Sequence, residues 1–180
     1  MGTERELVGR VLRGDTQAAR ALYDAHAGHV HRLIYRLAAD PALAEDCMQE
    51  TFVRAFGRLH EFRGDAALAT WLRAVATSVT LNAMRRERRY RTRETELEEA
   101  ADVAAPRPAE PDLRARLEQA VEALPARARA VFLLFEVEGY SHEEIGRLLG
   151  ISAGASKVQL TRTRARLREE LAAFHGEWVR

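Results

Sequence analysis

Apolar residues recur along this chain at intervals of three and four, and no stretch alternates apolar with polar as a half-buried strand would, so the pattern predicts an all-α protein. The first segment opens on Thr3-Glu4-Arg5-Glu6, a capping-box spacing, and runs to Gly14. A second starts at Asp15 and carries Leu22, Tyr23, Val30, Leu33, Ile34 and Leu37 at helical spacing. Asp40-Pro41 then predicts a third helix start, with proline at the first helical position, and Leu43, Cys47, Phe52, Val53 and Phe56 as its apolar set. His60 to Asp65 reads as a loop. A fourth helix begins near Leu68, holds Trp71, Leu72, Val75, Val79 and Leu81, and enters an arginine run.

The periodicity then stops. Residues 92–112 contain Pro106, Pro108 and Pro111, many acids and almost no large apolar side chain, which predicts a flexible linker between a domain at 1–91 and another at 113–180. In the second domain Leu113, Leu117, Val121 and Leu124 form an apolar stripe that Pro125 breaks. A helix through Val131, Leu134 and Phe135 follows, and Gly139 ends it. Ser141-His142-Glu143-Glu144 is a second capping box, opening a short helix with Ile145, Leu148 and Leu149 that stops at Gly150. A last helix runs from about Ala153 to Phe174.

Composition narrows the function. Apolar residues at 47% and charged residues at 31% are those of a folded globular protein, not a disordered one. No run of about 18 apolar residues is present, and Met1 to Asp15 alternates Arg with Glu where a secretion signal needs an apolar block, so a cytoplasmic protein without membrane insertion is expected. The single cysteine, Cys47, excludes an internal disulfide framework and reads as a buried filler. Net charge is only +1, so the balance itself says nothing about a nucleic-acid partner. Its distribution does. Arg85 to Arg93 holds six Arg and one Glu, Glu94 to Asp112 holds seven acids and one Arg, and Lys157 to Arg168 holds five basic residues and no acid. Two basic patches around an acidic stretch look like two nucleic-acid contacts joined by a solvated tether.

The short capped helix, the turn Gly150-Ile151-Ser152 and the longer basic helix have the order of a helix-turn-helix. At about 100° per residue, Ala153, Ser156, Leu160, Thr163 and Leu167 fall on one inward face. The opposite face presents Ala155, Val158, Gln159, Thr161, Arg162 and Arg166, flanked by Lys157, Arg164 and Arg168. Gln and Arg can bond bidentately to base edges while flanking cations meet phosphates. The plain alternative is a solvated surface helix, but such a helix usually interleaves acids, and none lies between Ala153 and Arg168.

Leu124-Pro125, Ala130 to Leu134, Glu138-Gly139-Tyr140-Ser141, Glu143-Glu144-Ile145, Leu148 to Ser152 and Arg164 to Arg168 together resemble the C-terminal domain of extracytoplasmic-function RNA polymerase sigma factors. That domain reads the upstream, minus-thirty-five promoter element. Ala44 to Phe52 resembles the same family's polymerase-docking helix, and Phe62-Arg63-Gly64-Asp65 with Thr70-Trp71-Leu72 its promoter-melting segment. The resemblance covers roughly residues 15–90 and 113–172. It implies that Asp46, Gln49 and Glu50 contact a coiled coil of the largest polymerase subunit, and that the loop Glu61 to Ala67 captures a base flipped from the downstream, minus-ten element. Candidate contacts there are Phe62, Arg63, Trp71, Ser78 and the phosphate-binding Arg85, Arg86, Arg88 and Arg89. Phe62 serves equally well as a core anchor, and Trp71 reads first as core. Ala155, Lys157, Val158, Gln159, Thr161, Arg162 and Arg166 are the upstream contacts. Implied partners are core RNA polymerase, promoter DNA and an anti-sigma factor.

Three departures stand out. Thr77-Ser78 occupies a place where the family often has Arg-Asn, Asn82 one where Asp is common, and Ala155-Ser156 one where Thr-Val is frequent. The first two bear on base preference at the melted element; the third replaces a buried apolar contact by a hydroxyl. No cofactor or metal is expected: the only His or Cys at ligand spacing among the acids around Glu50 is Cys47, which faces inward with Leu43, and His26 and His29 share a helix side that neither His31 nor an acid completes. A directly operator-binding regulator would need a dimerisation or sensing domain, and an adaptor would not need Gln and Arg on a groove-facing surface. No phosphate loop, nucleophile elbow or metal motif suggests an enzyme.

Overall fold

The computed structural model describes residues 4–94 and 113–175, without the side chains of Arg88, residues 91–94 and residues 173–175. All regular structure among them is helical. The chain divides between Arg88 and Arg89 into two compact units. The first holds α1 (Glu4–Leu12), α2 (Thr16–Ala38), α3 (Pro41–Gly57), a 3-10 turn at Leu59–Glu61 and most of α4 (Leu68–Glu94); the second holds α5 (Leu113–Glu122), α6 (Ala126–Glu136), α7 (His142–Leu149) and α8 (Ala153–His175). The expected cap at Thr3 and the expected linker from residue 95 onward lie outside the described residues. The helix α4 itself runs three residues past the expected domain end at 91, since no Gly or Pro interrupts it there.

In the first unit short, capped turns fold the helices together. Asp15 caps α2, accepting from the Ala18 N–H at 3.0 Å, and also accepts from Arg10 Nε of α1 at 2.8 Å. These two bonds hold its carboxyl below the ordinary carboxylate range. At the other end of α2, Ala39 takes a left-handed conformation (φ 50°) and donates to Tyr35 O, after which Asp40 caps α3 through the Leu43 N–H and Pro41 opens it. Leu22, Val30, Leu33, Ile34 and Leu37 of α2, Ala44, Cys47, Phe52 and Ala55 of α3, and Leu68, Leu72, Ala76 and Val79 of α4 are the buried apolar residues of these helices. Cys47 is 1% exposed, and burial pushes its thiol pKa up, as a filler role requires. Val53, expected inward, is instead 73% exposed. Its neighbour Phe52 is the buried member of the pair, packed against Tyr23 of α2 with ring centroids 4.5 Å apart, while Val53 falls on the opposite side from Thr51 and Ala55.

In the second unit Val131, Leu134, Ile145 and Leu160 form the core, with Phe132, Phe135, Tyr140, Leu148, Leu149 and Ile151 packed around it. The predicted stripe holds only at its end: Val121 of α5 and Leu124 just past it are buried, while Leu113 and Leu117 stay exposed. What fastens that end is Arg129, whose buried guanidinium donates to the carbonyls of Glu122 at 2.8 Å and Leu124 at 3.4 Å. It supplies the donors that the last turn of α5 lacks.

The helix-turn-helix closes as expected. Ser141 and Glu144 make a reciprocal capping box, which also holds the Glu144 carboxyl below its ordinary range. Gly150 ends α7 at φ 66°, a conformation that suits glycine. Gly146 answers to a different constraint: a Cβ there would stand 2.7 Å from the Ile151 carbonyl oxygen. Gly146→Ala is therefore expected to destabilise the protein by about 1–3 kcal/mol through overpacking, read as a lower urea midpoint. Gly154→Ala, whose Cβ would meet nothing nearer than Ser152 Oγ at 3.9 Å, serves as the control and should be neutral or slightly stabilising.

Candidate functional site

Three surfaces carry the predicted residues. On α3, the inward residues Ala44, Cys47, Thr51 and Ala55 leave Asp46 and Gln49 exposed and Glu50 half-buried on the opposite face. The helical repeat puts Val53 in the middle of that face, one turn beyond Gln49 and Glu50. Glu50 also accepts from Arg54 one turn on and from Arg86 Nη2 of α4 at 3.4 Å. A predicted docking residue and a predicted phosphate contact thus share an ion pair.

The second surface lies along α4 and the loop before it. Trp71, Ser78, Asn82, Arg85 and Arg89 recur at three, four and seven, which sets them on one stripe of the helix. Ser78, Asn82, Arg85 and Arg89 are exposed and Trp71 is half-buried. Arg85 donates to Asn82 Oδ1 at 3.0 Å. Thr77, the other half of the first departure, points into the core at 0% exposure and its hydroxyl finds no partner. Arg86 is turned off the stripe toward Glu50, and the side chain of Arg88 lies outside the described residues.

The loop is held at both ends. Arg58 grips Glu61 with two nitrogens, Nε at 3.0 Å and Nη2 at 2.6 Å, and this pairing holds the Glu61 carboxyl below its ordinary range. Glu61 belongs to a 3-10 turn, where a loop was expected, because Phe62 N donates back to Leu59 O. The Phe62 ring then packs against Trp71, centroids 5.9 Å apart and tilted by 60°, and both rings remain half-buried. Arg63 is exposed, Gly64 takes φ 77°, and the Leu68 N–H that opens α4 donates to Glu4 Oε2 of α1 at 3.2 Å.

The third surface is the outer side of α8. Ser152 caps it through the Ala155 N–H at 3.0 Å. Ser156, Leu160, Thr163 and Leu167 are buried, as predicted, and Ala153 is half-buried. Ala155, Lys157, Val158, Thr161, Arg162 and Arg166 are exposed and Gln159 is half-buried. Val158, 51% exposed, supplies the apolar spot on this face. Arg166 pairs one turn on with Glu170 at 3.1 Å. Arg164, read as a flanking phosphate contact, also pairs within the fold: its Nε donates to Glu136 of α6 at 2.6 Å and its guanidinium lies 5.7 Å from the Phe135 ring centroid. The Ser156 hydroxyl meets His142 Nδ1 at 2.9 Å, and the His142 ring stacks on Phe135 with centroids 4.5 Å apart. The hydroxyl introduced at this departure therefore has a partner that spacing along the sequence could not reveal.

Among the described residues no three metal-binding side chains come together. His29 meets Arg32, His31 stacks on Tyr35, and burial lowers the His26 pKa. No helix among them is long and apolar enough to cross a membrane.

Residues 22–90 match the family described as sigma-70 region 2, and residues 114–167 match sigma-70, region 4. The chain is 34% identical over 170 residues to the RNA polymerase sigma factor CarQ of Myxococcus xanthus, covering 93% of this chain and 97% of that one. It is 35% identical to the ECF RNA polymerase sigma factor SigE of Mycolicibacterium smegmatis, covering 89% of this chain and 66% of that one. Among solved structures it is similar to the sigma factor RpoE of Bartonella quintana in complex with the anti-sigma factor NepR, with a TM-score of 0.60 at 23% identity over 85% of this chain and 96% of that one. The same holds for CnrH in complex with the cytosolic domain of CnrY, with a TM-score of 0.56 at 26% identity over 94% and 97%. With both regions matched in order and a full-length relative above 30% identity, the chain belongs to the extracytoplasmic-function group of RNA polymerase sigma factors.

Proposed function

We propose that this chain docks on core RNA polymerase through α3 and directs it to promoters by holding the downstream element on α4 and its loop and the upstream element on α8. The observation that carries this reading is the separation of chemistries: one face of acids and amide around Val53, and two basic faces elsewhere. Asp46, Gln49 and Glu50 supply polar contacts for a basic coiled coil, and Val53 gives their centre an apolar contact of the kind that anchors interfaces. On α8, Gln159 and Arg162 read base edges, Ala155, Val158 and Thr161 meet the apolar parts of the groove, and Lys157 and Arg166 meet phosphates or bases at its margins. On α4, Arg85, Arg86, Arg88 and Arg89 bind the backbone.

The loop Glu61 to Ala67 receives the flipped base, with Phe62 and Trp71 as an aromatic platform and Arg63 at a phosphate. Ser78 offers fewer base-edge bonds than an amide would, so discrimination falls to the loop. The working units are placed at 1–91 and 113–180, joined by 92–112. The chain has no reaction of its own, acts in the cytoplasm, and is held in check by an anti-sigma factor, as the complex of the RpoE relative suggests.

Because Glu50 also pairs with Arg86, docking is isolated by leaving Glu50 in place. Asp46→Ala/Gln49→Ala, and separately Val53→Asp, should each weaken competition for core polymerase by about tenfold or more, the loss expected of central interface contacts, with helicity unchanged. Either variant competing like the parent would remove α3 as the docking face.

At the upstream element, Arg162→Ala should cost about 1–3 kcal/mol against the preferred sequence and relax the choice at one position. Arg168→Ala should weaken all sequences alike and flatten the salt dependence by about one ion. Quantitative binding across a panel of single-base variants at several salt concentrations separates the two. Unchanged sequence preference in Arg162→Ala would mean that another face of α8 enters the groove.

A further inference from the structure

The helix α4 begins without a cap of its own. Ala66 and Ala67 precede Leu68, and neither side chain can accept a hydrogen bond, so the first-turn N–H groups need an oxygen from elsewhere. Glu4 of α1 provides it, reaching Leu68 N across 64 positions of chain. The next residue, Arg5, lies over the bend of the same loop: a Cβ on Gly64 would stand 3.0 Å from Arg5 Nε and 3.2 Å from Nη2. The α1 helix is itself fixed by the buried Val8 and by Arg10, which pairs with the α2 cap Asp15 at 2.8 Å, and it packs on the 3-10 turn where the loop begins. The near end of the loop is fastened within its own segment, by Arg58 and Glu61. Its far end is fastened by Glu4 of α1, and Arg5 lies beside its bend.

We propose that α1 is a positioning element for base capture, in which Glu4 sets where the loop enters α4 and Arg5 sets the bend at Gly64, so that Phe62 is held against Trp71 with its remaining surface toward the DNA. This rests on the reading of residues 61–67 as the base-capturing loop. Glu4 and Arg5 touch no base. They act through the backbone of the loop, and their loss changes which base is accepted rather than whether DNA binds.

The experiment is transcription by core polymerase with the full chain from templates varied singly at each downstream position, with upstream binding and helicity measured alongside. Glu4→Ala should lower the ratio of preferred to non-preferred base by about fivefold at one position, the factor expected from a lost cap bond, with polymerase competition and upstream binding retained. Glu4→Gln keeps a carbonyl oxygen that can accept from Leu68 N and should restore the ratio. Arg5→Ala, which leaves the cap in place, should move the profile at the same position. An unchanged profile in both alanine variants, or an equal loss on every template, overturns the proposal. Exchange of residues 62–67 for another loop separates the two layers. If the exchange shifts the profile and neither Glu4→Ala nor Arg5→Ala does, the role of α1 fails alone; if the exchange shifts nothing, base capture lies elsewhere and both readings fail.

Discussion

An α-helix starts with N–H groups that no residue of its own can satisfy, and the arrangement of this protein follows from which oxygen meets them. Asp15 answers for α2, Asp40 for α3, Ser141 for α7 and Ser152 for α8, each within three residues of the donor. Such local caps fix the direction in which a chain leaves a turn, and direction decides which face of the helix is buried. On α3 the Asp40 cap and Pro41 set the register that turns Cys47 inward and Asp46 outward. On α8 the Ser152 cap does the same for Ser156 and Ala155. The outward surfaces are what remains once the caps and the core have chosen the inward ones.

That division also explains what could be read from the sequence. The Asp40-Pro41 start, the Ser141 capping box, the Gly150 stop and the inward set of α8 are legible because donor and acceptor are close in sequence and the helical repeat carries the rest. Glu4 over Leu68, Arg129 under the end of α5 and His142 against Ser156 are not, because each joins elements whose approach is a product of folding. Val53 shows a further limit. Periodicity places an apolar pair such as Phe52-Val53 on a helix, but only the facing element decides which member is buried, and here Tyr23 decides for Phe52. The outer positions of α5, Leu113 and Leu117, fail for a similar reason: an apolar stripe states what could be buried, and the neighbouring elements state how much is.

The charged residues divide by how firmly the fold holds them. Exposed ion pairs contribute about 0–1 kcal/mol, because solvent screens them and ordering two long side chains costs entropy. Glu50 with Arg86 and Arg166 with Glu170 are of this kind, so each arginine can exchange its carboxylate for a phosphate at little cost. Arg164 pairs with Glu136 at similar exposure, but it also lies over Phe135, so its side chain bridges α8 to α6 by two contacts rather than one. An arginine in a basic run is thus a contact or a brace according to what stands across from it, which no count of charges reveals.

The departure at Ser156 follows the same logic to its end. A hydroxyl buried at 0% exposure would be costly unless bonded, and His142 Nδ1 bonds it while the ring stacks on the same Phe135 that Arg164 covers. Three helices therefore meet in one polar and aromatic stack directly beneath the outward face of α8. A polar partner replaces an apolar contact, and the helix keeps its seat. Since Ala155, Val158, Arg162 and Arg166 point away from that stack, they are free to differ without loosening it, and the choice of DNA sequence is separated from the stability of the fold that presents it.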